Sequence, residues 1–243
     1  MPISPRTSEP LREAVGRLRA ACSDAWALDY IDHHAGRCID DVLRLASLRP
    51  GARVLNVGGA PYIFEAAAEA AGLRVTTLDI DPSRHGAIID AVGADVIEAD
   101  FEQPDGRGAI DLATFDVICL CEVLEHFRID LVATLSDIKK RKRPDAIVYL
   151  TTPNFFYAPR FLSALRQGRS GPSLVNEWRK LGELGHMGHV REYSRRELTE
   201  LFEFTGFRAE RVDCRNSQEA RGLAKYLARA FDGFAQELVF YLT

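Results

Sequence analysis

Short apolar runs alternate with longer stretches of helical periodicity through the middle of this chain, and this alternation constrains the fold more than any other feature. Five such runs lie at residues 53–57, 74–78, 95–98, 115–121 and 146–151. Strands separated by helices pair in parallel, and helices then cover both faces of the sheet. The pattern therefore predicts an α/β domain built on a doubly wound sheet.

Helical periodicity also dominates the start of the chain. Apolar residues recur at helical spacing over residues 11–48, until Arg-Pro-Gly at 49–51 interrupts them. We therefore expect an N-terminal helical segment at 1–49, containing two helices, ahead of a main domain at 50–243. The helical segment could pair two chains or cover an active site, so the sequence leaves the oligomeric state open.

The second half of the main domain contains an insertion and two further strands. Residues 154–190 are irregular and interrupted by glycines, which predicts a lid or substrate loop. Ser194 has the pattern of an N-cap for a helix that runs to Phe204. The last strands are predicted near 208–214 and 237–242.

Composition indicates which partners the protein can bind and in which cellular compartment we expect it. The chain has 243 residues, is 47% hydrophobic and carries a formal net charge of −4, so it has no general attraction to phosphate backbones. Nucleic acid is therefore disfavoured as a partner, although the basic run at 139–143 could act locally; a solvated helix end explains that run better. The absence of a long apolar stretch or an export signal predicts a cytoplasmic protein without a membrane anchor.

Acidic and glycine residues follow the predicted strands at the positions where open α/β sheets bind ligands. The first strand runs into Gly58 and Gly59, the second ends at Asp79 about 20 residues downstream, and Asp100 follows the third. A glycine pair alone also fits a simple tight turn. Together with the two acids it predicts a nucleotide-like cofactor.

A second constellation follows the fourth strand, in the sequence Glu122-Val-Leu-Glu125-His126. If Glu122 begins a helix, the side chains of Glu122, Glu125 and His126 share one face. Two carboxylates and an imidazole suit a divalent cation. The acids also favour a helix N-terminus without any metal, with His126 packing locally, so both interpretations stay open.

The ordered set of cofactor residues resembles the class I S-adenosylmethionine-dependent methyltransferases, over roughly residues 50–243. The resemblance implies a Rossmann-like seven-stranded sheet of order 3-2-1-4-5-7-6 whose last strand is antiparallel. It further implies a glycine loop facing the methionine part of the cofactor, an acid on the ribose and an acid by the adenine. The implied cofactor residues are Asn56, Gly58, Gly59, Asp79, Asp100 and Glu122.

The chain departs from that family at the glycine loop. The family usually has an acid where Asn56 stands and glycines where Ala60 and Tyr62 stand. These departures motivate the alternative of a non-catalytic protein with a decayed cofactor loop. A nicotinamide-dependent dehydrogenase would require an even fuller glycine pattern, so we disfavour that alternative.

Three further motifs narrow the resemblance. Glu122-x-x-Glu125-His126, Thr-Pro-Asn at 152–154 and His189-x-x-Glu-Tyr at 189–193 resemble metal-dependent O-methyltransferases. The first motif is similar to ubiquinone-pathway enzymes, and all three are similar to small-RNA 3′-end 2′-O-methyltransferases. The resemblance implies a Mg²⁺ or Mn²⁺ site of Glu122, Glu125, His126 and His189, while the nearby His186 has no assigned role.

We therefore expect an O-methyltransferase that acts on a hydroxyl of a sugar, glycan or other small metabolite. The predicted catalytic residues are Glu122, His126 and His189: a bound cation would orient a diol, or one of the histidines would act as the general base if no metal is present. One alternative is 2′-O-methylation of an RNA 3′ end. Another is a non-catalytic pseudo-methyltransferase that binds partners through a decayed cofactor loop.

Overall fold

The computed structural model describes residues 5–168, 173–184, 188–216, 226 and 232–243. The chain divides into two compact units, residues 1–119 and 120–243. Helices α1–α9 span Pro5–Ala21, Ala25–Leu48, Ile63–Ala70, Gly86–Val92, Pro104–Gly108, Leu131–Arg141, Ala158–Gln167, Leu174–Leu184 and Arg195–Phe204. Strands β1–β7 span Arg53–Val57, Arg74–Asp79, Asp95–Glu98, Val117–Cys121, Ile147–Pro153, Ala209–Arg215 and Glu237–Leu242.

The strands form one sheet of order β3-β2-β1-β4-β5-β7-β6, which confirms the expected topology. β1 pairs in parallel with both β2 and β4, and β7 pairs antiparallel with β5 and β6. Every residue of β5 and of β7 is buried, as is typical of strands covered on both faces. The seven predicted strands are all present, with ends shifted by at most two residues.

In the first unit, α1 packs against α3 and α4, and α2 packs against α1 and α3. The shared apolar core consists of Val15, Leu18, Ala27, Ile31, Tyr62, Ile63, Ala66 and Ile88. Asp24 caps α2, because its carboxylate accepts a hydrogen bond from the Ala27 N–H at 2.7 Å. Two helices ahead of the sheet are confirmed, while the boundary at residue 49 stays a prediction.

In the second unit, α9 begins at the predicted cap. The Ser194 hydroxyl accepts from the Glu197 N–H, and the Glu197 carboxylate accepts from the Ser194 N–H, which together form a capping box. The predicted insertion contains α7 and α8. Across the described ranges, no helix combines the length and the apolar character that a bilayer crossing requires.

The basic run at 139–143 ends α6. The Lys142 ammonium donates to the carbonyls of Arg143, Pro144 and Ala146, at 3.2, 3.5 and 2.8 Å. Arg141 pairs with Asp137 one turn earlier, and Arg143 pairs with Asp145. These contacts agree with the interpretation of the run as a helix end.

Candidate functional site

The glycine loop follows β1 and has no room for a side chain at its second position. Gly58 adopts a left-handed backbone, with φ of 74°, and its N–H donates to the Leu78 carbonyl at 2.8 Å. A Cβ placed on Gly59 would lie 2.6 Å from Thr77 Cγ2 and 2.9 Å from Glu65 Oε1. Glycine is therefore required at position 59 by close packing against β2 and α3.

Asp79, the predicted ribose-binding acid, ends β2 and holds this loop. Its Oδ2 accepts hydrogen bonds from the Gly59 and Ala60 N–H groups, at 3.0 and 3.1 Å, and from the Tyr62 hydroxyl at 3.3 Å. Its Oδ1 accepts a longer bond from the Asp81 N–H, at 3.4 Å. The carboxylate is therefore positioned by three donors on one oxygen, which leaves Oδ1 as the atom with more capacity to accept a ligand hydroxyl.

Tyr62 stands where the family has a glycine, and it keeps the backbone conformation that glycine would provide. Its φ is 64°, in the left-handed region, and its side chain is fully buried in the core formed with α1 and α2. Burial, followed by the charge of Asp79, raises the pKa of Tyr62, so the hydroxyl stays a donor. Sequence reasoning missed this contact, although an aromatic residue in a glycine loop was a signal for it.

Asn56 and Glu65 lie together beneath the loop. Asn56 is 2% exposed, and its Nδ2 donates to Glu65 Oε1 at 2.7 Å. Thr77 Oγ1 donates to the same carboxylate oxygen. Burial raises the pKa of Glu65 to about 6, although both hydrogen bonds act in the opposite direction. Sequence reasoning missed Glu65, whose signal was a carboxylate among the apolar residues of the first turn of an alanine-rich helix.

Asp100, the predicted adenine-side acid, follows β3. Its Oδ1 accepts from the Glu102 N–H at 3.0 Å, which makes a local turn. A Cβ on Gly106 would lie 2.0 Å from the Asp100 carbonyl oxygen, so α5 packs tightly against this turn. The contact of Asp100 with a cofactor stays a prediction.

The structure corrects the prediction that Glu122 begins a helix. Glu122 has a left-handed backbone with φ of 56°, and its N–H donates to the Thr151 carbonyl at 2.8 Å. Only a 3₁₀ turn, Leu124–His126, follows it. The Glu122 Oε1 accepts from the Thr151 hydroxyl at 3.1 Å. The bond to β5 therefore replaces the helical geometry that the residue spacing suggested, and Glu122 does not share a helix face with Glu125 and His126.

Three of the four predicted metal ligands come together in the second unit. Glu125, His126 and His189 each offer one ligand atom, and these atoms all lie within 4.8 Å of one another. The His189 Nε2 lies 3.9 Å from Glu125 Oε1, and the two imidazole rings are 5.0 Å apart. Among the residues that the structure describes, this cluster does not include Glu122. Its roles as a metal ligand and a cofactor contact stay predictions.

Backbone hydrogen bonds bring His189 to a residue 64 positions earlier in the chain. The N–H groups of Val190 and Arg191 both donate to the Glu125 carbonyl, at 2.7 and 3.2 Å. Further along, the Phe155 N–H donates to the Tyr193 carbonyl at 3.0 Å. The segment after the insertion is therefore fixed to the turn that carries Glu125 and His126.

Neighbouring side chains orient the cluster. The Thr152 hydroxyl donates to Glu125 Oε2 at 3.0 Å, and Glu125 is completely buried. The Glu192 carboxylate lies 2.9 Å from His189 Nδ1 and also accepts from Arg160 on α7. Burial alone would raise the pKa of Glu192, but the hydrogen bonds from His189 and Arg160 outweigh it and lower the pKa.

Because Glu192 is ionised, His189 donates to it through Nδ1, and the lone pair of the neutral ring lies on Nε2. Nε2 is the ring nitrogen that faces Glu125. Sequence reasoning did not find Arg160. The arrangement can bind a cation, or it can accept a proton at His189 Nε2.

The insertion exposes aromatic surface. Phe156 contacts the rings of Phe155 and Phe161, with centroids 5.2 and 5.5 Å apart. Trp178 on α8 is 56% exposed. His186 lies outside the described residues. Arg191 pairs with Glu197 at 2.6 Å, so the structure gives it a partner other than Glu192.

Comparison with known proteins places the chain in a family. A family profile described as a methyltransferase domain matches residues 30–212. Comparison with curated protein sequences gives no match.

Solved structures share the fold at low sequence identity. A SAM-dependent methyltransferase from Archaeoglobus fulgidus is 14% identical with a TM-score of 0.58, covering 90% of this chain and 99% of its own. The mitomycin 7-O-methyltransferase MmcR is 16% identical with a TM-score of 0.51, and the match covers 98% of this chain and 68% of MmcR. The methyltransferase domain of the bacterial protein CtHen1-CN is 15% identical with a TM-score of 0.54, and the match covers 85% of this chain and 97% of that domain. At such low sequence identity, these similarities show a shared fold only.

Proposed function

The chain belongs to the methyltransferase-domain family, with the fold of class I S-adenosylmethionine-dependent enzymes, and we propose that it methylates a hydroxyl of a sugar, glycan or small metabolite with the help of a divalent metal ion. The observation that carries the proposal is the convergence of Glu125, His126 and His189. Their ligand atoms face one another, and Thr152 and Glu192 already hold two of the three side chains in place.

The reaction requires an acceptor oxygen that can lose its proton. The hydroxyl oxygen forms a bond to the methyl carbon as the sulfur–carbon bond breaks, and the sulfur keeps the electron pair. S-adenosylhomocysteine is then released, and the hydroxyl proton passes to a base or to water. An alcohol is a weak nucleophile at neutral pH, so a group that removes or weakly binds this proton contributes directly to the rate.

The donor set fits a divalent ion. Glu125 Oε1, a nitrogen of His126 and His189 Nε2 would hold it; when bound, the ion would orient a diol and lower the proton affinity of its hydroxyls. Mg²⁺ prefers oxygen ligands, whereas imidazole nitrogens suit later divalent metals. With two imidazoles among three donors, we expect Mn²⁺ to bind more tightly than Mg²⁺.

The chain's own residues would position the acceptor and the proton. Glu192 and Arg160 fix the His189 ring, so Nε2 stays directed towards Glu125. In the absence of a metal, the same nitrogen could accept the hydroxyl proton. The formal net charge of −4 supports a small, uncharged acceptor over a polyanion.

One alternative acceptor has its own support. The spacing of His189 and Glu192 is similar to that of small-RNA 3′-end methyltransferases, and in this structure His189 Nδ1 lies 2.9 Å from Glu192. A 3′-terminal ribose offers the neighbouring hydroxyls that such a site would engage. This second candidate differs from the first only in the acceptor.

Calorimetric titration of EDTA-treated protein, first with S-adenosylhomocysteine and then with Mn²⁺ or Mg²⁺, tests the cofactor and the metal separately. We expect cofactor binding, and Mn²⁺ binding that Glu125→Gln abolishes and that the exposed control Glu200→Gln preserves. Glu122→Ala tests whether Glu122 completes the ligand set. Cofactor binding with no ion binding would contradict the metal, and a failure to bind the cofactor would contradict the whole proposal.

Methyl transfer from labelled S-adenosylmethionine then distinguishes the acceptors. Sugars with neighbouring hydroxyls should be methylated in a Mn²⁺-dependent manner. Methylation of RNA with a free 3′ end, but not of RNA with a blocked 3′ end, would instead support the RNA alternative.

A further inference from the structure

Helix α8 directs an acidic residue inwards and apolar residues outwards, which reverses the usual arrangement. Val175 and Trp178 are 59% and 56% exposed, whereas Glu177 between them is 4% exposed. Glutamate is seldom buried unless it is paired. Lys180 provides a partner for one oxygen, because its ammonium donates to Glu177 Oε1 at 2.8 Å. Glu177 Oε2 is enclosed and receives no hydrogen bond from the part of the chain that the structure describes.

This second oxygen packs against Gly188, the residue immediately before His189. A Cβ on Gly188 would overlap Glu177 Oε2 and would lie 2.5 Å from the carboxyl carbon of Glu177. The backbone of Gly188 is not left-handed, so a special conformation does not explain the glycine. The requirement for glycine at this position therefore follows from the close approach of the Glu177 carboxylate.

The contact holds His189 from the side opposite to its other contacts. After the histidine, the Val190 N–H donates to the Glu125 carbonyl, and Glu192 lies within hydrogen-bond distance of the imidazole ring. Before the histidine, the carboxylate of Glu177 limits where the backbone can lie. The segment that carries His189 is therefore held on both sides, and one side chain of α8 provides the earlier contact.

We propose that Glu177 is a positioning residue for His189 and that it couples α8 to the cation cluster. The inference rests on the proposed ion at Glu125, His126 and His189. A ligand whose backbone is fixed in advance loses less conformational freedom on binding, so the contact should strengthen ion binding. Because coupling between two sites is reciprocal, the bound ion should in turn stabilise α8.

Calorimetric titration of the EDTA-treated full chain with Mn²⁺, and separately with S-adenosylhomocysteine, tests the role of Glu177. Glu177→Ala should weaken Mn²⁺ binding by about 10-fold and leave the affinity for S-adenosylhomocysteine unchanged. Glu177→Gln keeps the shape of the side chain and should retain most of the affinity for Mn²⁺. The control Glu200→Ala removes an exposed acid that pairs with Arg196, and should change neither affinity.

A double-mutant cycle tests the contact itself. In the wild-type background, Gly188→Ala places a methyl group against the Glu177 carboxylate and should weaken Mn²⁺ binding. Glu177→Ala removes that carboxylate, so adding Gly188→Ala to it should cause no further loss. Additive losses from the two substitutions would contradict the contact.

Hydrogen exchange measures the coupling from the side of α8. At Mn²⁺ concentrations that saturate both proteins, the ion should slow exchange of the α8 amides in the wild type, and less so in Glu177→Ala. Helix α1, in the first unit, provides the internal control. Equal protection of α8 in the two proteins would contradict the coupling.

The outcomes separate this inference from the proposed function. Unchanged Mn²⁺ binding in Glu177→Ala would overturn the inference and leave the proposed function intact. Equal losses of affinity for Mn²⁺ and S-adenosylhomocysteine would show that Glu177 only supports the fold, and would also overturn it. An equally large loss in Glu177→Gln would assign the effect to charge and overturn the positioning role. A wild type that binds S-adenosylhomocysteine but no ion would overturn the proposed metal together with this inference.

Discussion

The cofactor loop of the first unit and the cation cluster of the second unit use carboxylates in opposite ways. Asp79 and Glu65 accept hydrogen bonds from the glycine loop and from the strands beside it, so these bonds fix the loop, although burial disfavours the charged form of Glu65. Glu125 and His189 are held by other side chains, Thr152 and Glu192, so their ligand atoms remain directed at one another. The carboxylates at the loop are therefore used mainly in intramolecular hydrogen bonds, with Asp79 Oδ1 retaining capacity for a ligand, whereas the cluster keeps its ligand atoms close together, as the proposed ion would require.

Gly59→Ala should have the largest effect of the substitutions at the cofactor loop. The new methyl group would lie 2.6 Å from Thr77 Cγ2 and 2.9 Å from Tyr62 Cε1, both in the buried interior. We expect a loss of about 3 kcal/mol in the free energy of unfolding, and no measurable binding of S-adenosylhomocysteine. Urea denaturation and calorimetry check both. The control Gly36→Ala, in an open position of α2, should be neutral or stabilising.

Glu65→Gln tests the loop's buried charge through pH. The folded pKa of about 6 exceeds the usual 4.5, so the stabilisation is complete below pH 4.5 and is lost as the pH rises through 6. The loss amounts to about 2 kcal/mol. Urea denaturation between pH 4 and 7.5 should show this decline in the wild type relative to Glu65→Gln. A parallel pH dependence in the two proteins would refute a buried ionising Glu65, and Glu69→Gln serves as the control.

Glu192→Gln tests how far the charge of Glu192 contributes to ion binding at the cluster. Loss of the charge behind His189 should weaken Mn²⁺ binding by about 10-fold, or about 1.4 kcal/mol, because the ring would be less firmly oriented and less basic. Calorimetric titration with Mn²⁺ measures the effect, and Glu200→Gln, an exposed partner of Arg196, provides the matched control. Unchanged affinity would mean that His189 is already held by its backbone contacts.

Tyr62→Phe has the smallest expected effect. It removes one of three donors from Asp79 Oδ2, so S-adenosylhomocysteine should bind about 3- to 10-fold more weakly. Tyr30→Phe, whose hydroxyl accepts from Arg37, makes the same chemical change elsewhere in the unit. If the two variants behave alike in calorimetry, the hydroxyl of Tyr62 has no special role at Asp79.

Apolar runs such as that of β5 were sufficient to predict strands, since they reflect burial on both faces, whereas the order of the strands came from the resemblance to the methyltransferases. The sequence was also sufficient to bring Glu125, His126 and His189 into one hypothesis, although their convergence depends on backbone bonds that no local pattern encodes. The prediction of a helix at Glu122 was wrong because it rested on residue spacing alone. It took no account of the hydrogen bond that the Glu122 N–H donates to the Thr151 carbonyl.

Partners of the predicted residues were harder to find. Glu65 and Tyr62 reach Asn56 and Asp79 only through tertiary packing, and neither residue type is typical of a cofactor loop. Arg160 lies 32 positions from Glu192, on a helix whose apolar pattern gives no indication of that ion pair. Sequence motifs therefore identified the residues that could contact ligands, but not those that hold them.

The way His189 is anchored has a consequence for the evolution of specificity. The bonds that fix both ends of the insertion, from Val190 and Arg191 to Glu125 and from Phe155 to Tyr193, join main-chain atoms. Mutation of side chains between these ends leaves the anchors chemically unchanged. Apart from Arg160, which pairs with Glu192 behind His189, and Glu177, which contacts Gly188, the residues of α7 and α8 can therefore diverge between relatives while the backbone of the histidine keeps its place. Selection for a new acceptor can act on this segment without rebuilding the chemistry beside it.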